Sequence, residues 1–306
     1  MPDAAAPVDV VVGASDRPRG DAVVVVNFGS HRLLVENLVA LGADERLGAR
    51  VVVVDSYTSD EERAAVGSLA RAHGWDALLL AGNPGFGDAM NAGVGHARAH
   101  GCTGFLLVNP DLRLDPATAR ALLDHCRERS GDLVSPTVLR PDGTVWFGGG
   151  EVLVAEGRTT TRDADSGSDR GWLTGACLAV HADLWDDLGG FDHDYFLYWE
   201  DVDLSWRVRR SGGRLVVRGD LTAVHAVGGT QGESKSPVYV RFNCRNRLVF
   251  AAKHLERPDR SRWRRTAGGY AWQVLGRGGR RALLRRPVAL GTAALRGTLE
   301  GLLWRP

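Results

Sequence analysis

The sequence has almost no net charge and lacks long apolar runs. Its 38 basic and 37 acidic residues leave a net charge of +1, so the broad basic field typical of nucleic-acid binding is missing. No apolar run reaches the roughly 20 residues that a membrane-spanning helix needs. The N-terminus shows no basic start before an apolar run, so no signal peptide is predicted. We expect a soluble, cytoplasmic protein.

Cysteine and lysine are also scarce. Lys235 and Lys253 are the only lysines, and we attribute the preference for arginine to genome composition. The cysteines stand far apart without a CxxC pair, which argues against a zinc site and against a disulfide framework. There are four of them: Cys102, Cys126, Cys177 and Cys244.

The first half of the chain alternates apolar runs with helix-like segments. Each run is apolar throughout, as expected for strands covered on both faces. This alternation predicts an α/β fold: a mostly parallel, Rossmann-like sheet flanked by helices. The predicted strands are 22–27, 50–55, 76–81 and 104–111, and the predicted helices cover 30–42, 60–74, 87–100 and 115–129.

The second half is less regular. Residues 140–150 read as a turn and a glycine-rich strand, and the polar segment 155–171 reads as a mobile loop that could close over a ligand. A buried strand and a short helix follow, then a helix over 200–213 and a strand from 214. From about residue 262 the chain is arginine-rich with leucine clusters, which predicts amphipathic helices.

Polar residues follow the predicted strands of the first half. The carboxyl ends of parallel strands share one edge of a sheet, where ligands bind. We therefore expect one crevice lined by Asn27, Asp55, Asn83 and Asp111.

The segment NPGFGDAMNAGVG (83–95) leads from a strand into a helix. Glycines allow close backbone approach, and a helix N-terminus attracts anions, so the turn suits a nucleotide diphosphate. It is not a Walker A loop, because the GK[ST] ending is missing. A tight strand–helix turn without a ligand explains the glycines equally well.

Three single residues each allow two interpretations. Asp55 is suited to bind a nucleobase or ribose, or to form an Asx-turn. Asp111 is suited to a divalent cation, or to a solvated turn. His225 is suited to a metal or a phosphate, or to packing in the core.

The densest cluster is FDHDYFLYWEDVDLSWRVRRSGG (191–213), where aromatic residues lead directly into Glu200, Asp201 and Asp203. Sugar rings stack on aromatic surfaces, and a carboxylate there could deprotonate an acceptor hydroxyl. Acidic residues at a helix start also stabilise the helix dipole. Asp203 and Arg207 have the spacing of a surface ion pair.

Seven motifs in order resemble those of family 2 glycosyltransferases with the GT-A fold, and most resemble the bacterial rhamnosyltransferase-like branch. They span about residues 22–254: VVVNFGS, VVVDSYTSD, NPGFGDAMNAG, LLVNPD, the segment TGACLAVHADLWDDLGGFD with the cluster above, VHAVGGT and YVRFNCRNRLVFAAKH. The resemblance implies transfer of a sugar, such as L-rhamnose from dTDP-rhamnose, to an acceptor hydroxyl with inversion. It also implies Mg²⁺ or Mn²⁺ on the diphosphate.

The resemblance assigns roles to individual residues. It makes Asp201 the general base with Glu200 beside it, and Asp111 and His225 the metal site. Residues implied to lie near the nucleotide sugar are Asn27, Asp55, Asn83, Gly85, Gly87, Asn91, Trp199, Arg245 and Asn246. Two departures stand out: Ser56 where the family often has asparagine, and Asn109 in place of a first carboxylate. The second leaves one strong hard ligand, Asp111.

The expected organisation is a lead-in (1–20), a nucleotide-sugar half (21–112), an acceptor and catalytic half (113–255) and a helical extension (256–306). Acceptors consistent with the resemblance are a glycan, a lipid-linked sugar or a small natural product. The extension fits both a packed helical region and peripheral contact with the inner face of the membrane. A nucleotidyltransferase and a non-catalytic sugar-binding protein are the alternative functions.

Overall fold

The computed structural model describes residues 7–11, 13, 20–161, 170–225, 236–277 and 279–305. One mixed sheet of ten strands dominates it, in the order β1-β4-β3-β2-β5-β12-β7-β13-β6, with β8 paired to β7. The sheet strands are β1 (Pro7–Val11), β2 (Asp21–Asn27), β3 (Ala49–Asp55), β4 (Asp76–Leu80), β5 (Gly104–Val108), β6 (Leu112–Leu114), β7 (Asp132–Leu139), β8 (Val145–Phe147), β12 (Cys177–His181) and β13 (Arg214–His225). A small second sheet joins β9 (Gly150–Leu153), β10 (Arg158–Thr160) and β11 (Gly171–Trp172).

The predicted α/β class is confirmed, and its parallel pairs are the run β4-β3-β2-β5 and the pair β7–β13. The valine runs of β2 and β3 are buried because both faces of the sheet are covered. In this register Asn27 lies opposite Asp55, at the carboxyl ends of their strands. The second half contributes antiparallel strands: β12 inserts between β5 and β7.

Helices connect the strands and form a C-terminal group. Before β12 they are α1 (His31–Leu33), a π-helical turn (Leu34–Leu38), α2 (Val39–Ala43), α3 (Asp60–His73), α4 (Phe86–Ala99) and α5 (Pro116–Glu128). After it come α6 (Ala182–Leu188), α7 (Glu200–Arg210), α8 (Pro237–His254), α9 (Arg257–Arg265), α10 (Ala267–Gly276), α11 (Gly279–Arg285) and α12 (Pro287–Leu303). No helix in the described part of the chain combines the length and apolarity needed to cross a bilayer.

Several local predictions hold, and others need correction. For the helix predicted over 60–74, Ser59 accepts a hydrogen bond from the Glu62 amide and Gly74 ends α3 in a left-handed conformation. Ser30, whose residue type and position suggest a cap for the helix predicted over 30–42, does not cap the first helix. Its hydroxyl donates to Asn27 Oδ1 (3.0 Å), and the carboxylate of Glu62 takes the His31 amide instead (2.6 Å).

Two segments expected to be irregular contain strands. Pro7–Val11, within the predicted lead-in, pairs antiparallel with β4. Arg158–Thr160, within the predicted mobile loop, pairs with β9. The predicted closure of that loop concerns mainly residues 162–169, which lie outside the described residues.

A second hydrophobic core holds the C-terminal helices against the start of α7. Its largest members are Trp199, Phe250 and Trp263, whose rings lie 5.5–6.0 Å apart. Arg247 is buried among them, and its guanidinium donates to the carbonyls of Gly157 (2.5 Å) and Trp263 (2.9 Å). The C-terminal helices are therefore packed against the domain that carries the sheet.

Candidate active site

A cavity of about 500 Å³ opens at the carboxyl ends of the parallel strands, where α/β sheets bind ligands. Its size falls in the range of small-molecule sites. Three parts of the chain form it: the strand ends, the turn before α4 and the loop before α7. The lining residues include Phe28, Ser56, Asn83, Gly85, Phe86, Asn109, Asp111, Phe196, Leu197 and Val238.

Asn27 and Asp55 are fully buried behind the strand-end wall. Asn27 Nδ2 donates to Asp55 Oδ1 (2.8 Å) and to Glu62 Oε1 (3.1 Å), and its Oδ1 accepts from Ser30. Every polar group of Asn27 is thus used within the protein. The side chain orders the wall, and it has no free group for the nucleotide sugar.

Asp55 differs from Asn27, because its Oδ2 has no hydrogen-bond partner. The nearest cation is Arg63, whose Nε lies 3.7 Å away. Burial raises the pKa of Asp55 in spite of the Asn27 hydrogen bond. The hydroxyl of the next residue, Ser56, lines the cavity and also lacks a partner. An unsatisfied pair of this kind is suited to a polar group of a ligand.

Three of the four glycines of the 83–95 segment, Gly85, Gly87 and Gly93, serve close packing within the protein. Gly85 has φ +103°, and a Cβ there would overlap the carbonyl of Phe196. The neighbouring Phe86 amide donates to that same carbonyl (2.9 Å). A Cβ on Gly87 would lie 3.0 Å from Phe191 Cβ. Gly87 therefore packs within α4, whereas Gly85, which precedes the helix, also lines the cavity.

Asp111 lines the cavity and contacts His225. His225 Nε2 lies 3.0 Å from Asp111 Oδ1, but neither ring nitrogen makes a hydrogen bond with the residues that the structure describes. The buried Oδ1 of Asn109, which lines the same cavity, is also without a partner. An oxygen and nitrogen donor set left unpaired in this way fits a divalent cation. The continuation of the His225 motif, 226–235, lies outside the described residues.

The backbone is strained directly before α7. Tyr198 and Trp199 have φ values of +66° and +75°, unlike every other non-glycine residue described. Side chains with a Cβ rarely adopt this region, and such strain concentrates at functional sites. Asn246 maintains it by donating to the carbonyls of Leu197 (3.0 Å) and Tyr198 (2.8 Å).

This strained loop leads into Asp201, which lies next to the cavity wall without being one of its lining residues. Asp201 accepts hydrogen bonds from the amides of Gly175 (2.9 Å) and Val202 (2.8 Å). A Cβ on Gly175 would lie 3.5 Å from both Asp201 Cβ and the wall residue Phe86. Burial raises the pKa of Asp201 to about 6, although the two amides act in the opposite direction.

Glu200 is more deeply buried than Asp201. Burial and the neighbouring Asp201 charge raise its pKa well above the usual value, and its Oε2 has no hydrogen-bond partner. Asp201 therefore ionises before Glu200. The ionised Asp201 is a proton acceptor of suitable strength near neutral pH.

Asp203 behaves in the opposite way. It is fully buried and bonded to Arg207 (2.7 Å) and His254 (2.6 Å), which corrects the expectation of a surface ion pair. Burial alone would raise its pKa, but His254 and Arg207 outweigh that effect and lower it. Asp203 therefore anchors α7 to α8.

Of the residues implied to lie near the nucleotide sugar, only Asn83 and Gly85 line the cavity, and four others are held by contacts within the protein. Trp199 belongs to the second core. Asn91 exchanges two hydrogen bonds with the backbone of Phe191 (2.7 and 2.9 Å). Asn246 holds the strained loop, and Arg245 donates to the carbonyl of Asp194 (2.7 Å) and to Asn246 Oδ1 (2.6 Å). These side chains support the site instead of lining it.

Sequence reasoning missed several wall residues. Phe28 and Val238 are exposed apolar residues at the rim. A large aromatic residue directly after a predicted strand end is a usable signal for Phe28. Val238 gives no local signal, because only the packing of α8 brings it to the cavity.

A second cluster with metal-ligating side chains lies at the opposite end of β4. It contains Asp76, His96 and His100. Arg50 donates to the same Asp76 oxygen that His96 contacts (2.5 and 2.9 Å). A cation next to the only carboxylate opposes metal binding, so we assign this cluster a structural role.

No protein-family model matches the chain. Over 219 residues it is 28% identical to the N-acetylglucosaminyl-diphospho-decaprenol L-rhamnosyltransferase of Mycobacterium tuberculosis, covering 62% of this chain and 70% of that protein. Over 243 residues it is 24% identical to the low-salt glycan biosynthesis hexosyltransferase Agl10 of Haloferax volcanii, covering 74% of each.

Solved structures resemble the fold. The mannosyltransferase PcManGT from Pyrobaculum calidifontis, solved with GDP-Man and Mn²⁺, matches with a TM-score of 0.53 and 17% identity, covering 97% of this chain and 90% of that one. S. aureus TarS 1-349 matches with a TM-score of 0.52 and 15% identity, covering 92% and 88%. At these identities the match shows the fold alone.

Fold and sequence relatives together define the class: the chain is a glycosyltransferase with the GT-A fold. Within that class its sequence relatives include an L-rhamnosyltransferase and a hexosyltransferase, which supports the likeness to the family 2, rhamnosyltransferase-like branch. The resemblance drawn from the ordered motifs is thereby confirmed.

Proposed function

We propose that the chain transfers a sugar from a nucleotide diphosphate to an acceptor hydroxyl with inversion, and that Asp201 is the general base. The observation that carries this proposal is the position of Asp201 beside a cavity wall, with a raised pKa. Inversion needs one base, placed opposite the leaving group, to take the hydroxyl proton. Burial and the neighbouring Asp201 charge raise the pKa of Glu200, which favours Asp201 over Glu200 as the proton acceptor.

The strand-end wall is suited to hold the nucleotide. The unpartnered oxygens of Asp55 and Ser56 can bind polar groups of the base or ribose. Phe28 offers an exposed ring at the rim for stacking. The L-rhamnosyltransferase of M. tuberculosis supports L-rhamnose as the sugar, and we propose dTDP-L-rhamnose as the donor.

Asp111, His225 and the carboxamide of Asn109 would hold a divalent cation. The Mn²⁺ of the mannosyltransferase supports this, as does the unpaired donor set of this chain. A bound Mg²⁺ or Mn²⁺ supplies positive charge against the negative charge that develops on a leaving diphosphate. With one carboxylate in the set, we expect weak and exchangeable metal binding.

The acceptor is proposed to be a lipid-linked sugar. This follows the substrate in the name of the M. tuberculosis relative, an N-acetylglucosaminyl-diphospho-decaprenol. The exposed apolar rim around Phe28 and Val238 is compatible with an amphipathic acceptor.

A screen of nucleotide sugars tests the donor. Thermal shift with dTDP-L-rhamnose, UDP-glucose and GDP-mannose, each with and without Mn²⁺ or Mg²⁺, should show the largest stabilisation for dTDP-L-rhamnose with metal. Mass spectrometry should then detect dTDP and a rhamnosylated acceptor, and NMR should show the inverted anomer. Release of pyrophosphate from a nucleoside triphosphate instead would identify a nucleotidyltransferase and overturn the proposal.

A further inference from the structure

The last helices expose an unusual amount of apolar surface. Leu284, Val288 and Leu303 are 80%, 78% and 77% exposed. On α12, Val288, Leu295, Leu299 and Leu303 follow one another at spacings of seven and four, so they share one face. The opposite face, with Leu290 and Ala294 among others, is buried. A helix that is apolar on both faces is expected to be covered on both.

Positive charge surrounds this apolar face. Between residues 260 and 299 the chain has ten arginines and no aspartate or glutamate, whereas its overall net charge is only +1. Arg285 and Arg286 are exposed between Leu284 and Val288, and neither forms an ion pair with any of the described residues. The surface is therefore apolar with a cationic margin.

Helix register places this surface at the cavity end of the molecule. Gly297 of α12 packs on the carbonyl of Arg241, and Gly301 packs on that of Arg245, so α8 and α12 run parallel. Pro237, at the start of α8, is then level with residue 293. The first turns of α12 extend about 9 Å beyond it, at 1.5 Å per residue.

The cavity lies at that same end of α8, because Ser236 and Val238 line it. Arg277, at the C-cap of α10, contacts the Tyr239 hydroxyl (3.4 Å), which places the entry to α11 there too. The exposed segment around Leu284 and Val288 therefore lies on the side of the cavity mouth.

We propose that this docking surface, formed by Leu284, Arg285, Arg286, Val288, Leu295 and Leu299, binds an anionic phospholipid bilayer. Apolar side chains of an interfacial helix enter the acyl boundary while arginines stay at the phosphates. Anionic lipid attracts each arginine near the surface. Two copies of the surface facing each other would bring cations together, so charge favours the bilayer over self-association.

Docking in this orientation turns the cavity mouth toward the membrane. A lipid-linked acceptor then needs to extend only its sugar from the bilayer to reach Asp201. This presentation of the acceptor rests on the proposed function, whereas binding to the bilayer does not.

Flotation of the full chain with vesicles tests the proposal. The vesicles contain phosphatidylcholine alone or with phosphatidylglycerol, at low and high salt. We compare Leu284→Glu/Arg285→Glu with Val145→Glu/Arg129→Glu, a control of identical charge change at exposed positions elsewhere. Wild type and control should float with anionic vesicles, more at low salt. The docking variant should lose about tenfold or more in the partition coefficient.

Equal flotation of the two variants, or no flotation of the wild type, would overturn the docking proposal. So would a wild-type dimer in analytical ultracentrifugation that dissociates in the docking variant without any vesicle binding. Sugar transfer to a water-soluble acceptor analogue is measured in parallel. Transfer without vesicle binding would overturn the docking proposal alone. Vesicle binding without transfer would overturn the proposed function alone.

Discussion

The first turn of α7 carries three carboxylates, and the pKa values of two of them are shifted in the opposite direction to that of the third. Glu200 and Asp201 have no cationic partner among the described residues, and burial raises the pKa of both. Asp203, only two residues further, is bonded to Arg207 and His254, and its pKa is lowered.

Burial acts on all three carboxylates in the same direction, so the presence or absence of a cation decides the result. The helix thus keeps an anchoring ion pair and a proton acceptor within one turn of each other. Mutations of the two aspartates should separate stability from reactivity.

Asp201→Asn gives the largest expected effect. The amide keeps the shape of the side chain but cannot take a proton, so the rate of transfer should fall by about 10² to 10⁴. Calorimetry should find unchanged affinity for the donor nucleotide. The melting temperature should change little, because removing a carboxyl whose pKa rises on folding gains stability above pH 6, whereas asparagine has only one acceptor oxygen for the two amides of Gly175 and Val202. Unchanged turnover would remove Asp201 from the role of base.

Asp203→Asn is the matched change two residues away. It leaves Arg207 without its buried counter-charge, so the free energy of unfolding should fall by roughly 3 kcal/mol. Urea denaturation measures this loss. Turnover per folded molecule, at a temperature where the variant is native, should change far less than in Asp201→Asn. A stable but inactive Asp203→Asn would contradict the proposed division of roles.

The transfer rate and the stability of the fold should depend on pH in different ranges, because Asp201 governs the first and Asp203 contributes to the second. Asp201 must be ionised to accept a proton, so the transfer rate should fall about tenfold for each pH unit below about 6. Asp203, with its lowered pKa, contributes stability that is present above its ordinary value of 3.8 and lost only at lower pH. Between pH 4 and 6 we therefore expect a folded but slow enzyme. Circular dichroism and initial rates over this interval check both parts.

Asn246→Ala should have the smallest effect. It removes the two hydrogen bonds that hold the backbone of Leu197 and Tyr198 in its strained form. We expect kcat to fall about tenfold while affinity for the donor nucleotide stays the same. Asn243→Ala is the control, because that side chain bonds only to the Tyr239 carbonyl of its own helix. Equal losses in both variants would argue for general destabilisation of α8.

Local sequence signals predicted much of the fold. Apolar, β-branched runs identified the parallel strands, and Ser59, Gly74 and Pro116 stand at helix ends that the structure confirms. Antiparallel insertion of β12 was not predictable, because strand pairing between distant segments leaves no local pattern.

The candidate site was predictable in outline only. Strand-end position pointed to Asp111, and the cluster over 191–213 together with the resemblance pointed to Asp201. The supporting contacts were hidden, since His254 meets Asp203 from 51 residues away and Asn246 reaches Tyr198 from 48. A residue that lines a cavity and a residue that supports the cavity wall through hydrogen bonds show the same pattern in the sequence, so the sequence alone does not separate them.

The hydrogen bond from the Phe86 amide to the Phe196 carbonyl joins the nucleotide wall to the catalytic loop, main chain to main chain. The distance between the nucleotide wall and the catalytic loop is therefore set by the backbone, and changes of side-chain rotamer cannot alter it. Tolerance for acceptors of different bulk must come from the periphery, where Phe28 and Val238 stand. We expect substitutions that change acceptor preference to fall at these two residues. Substitutions that break the Phe86–Phe196 hydrogen bond should instead lower the rate of transfer to every acceptor.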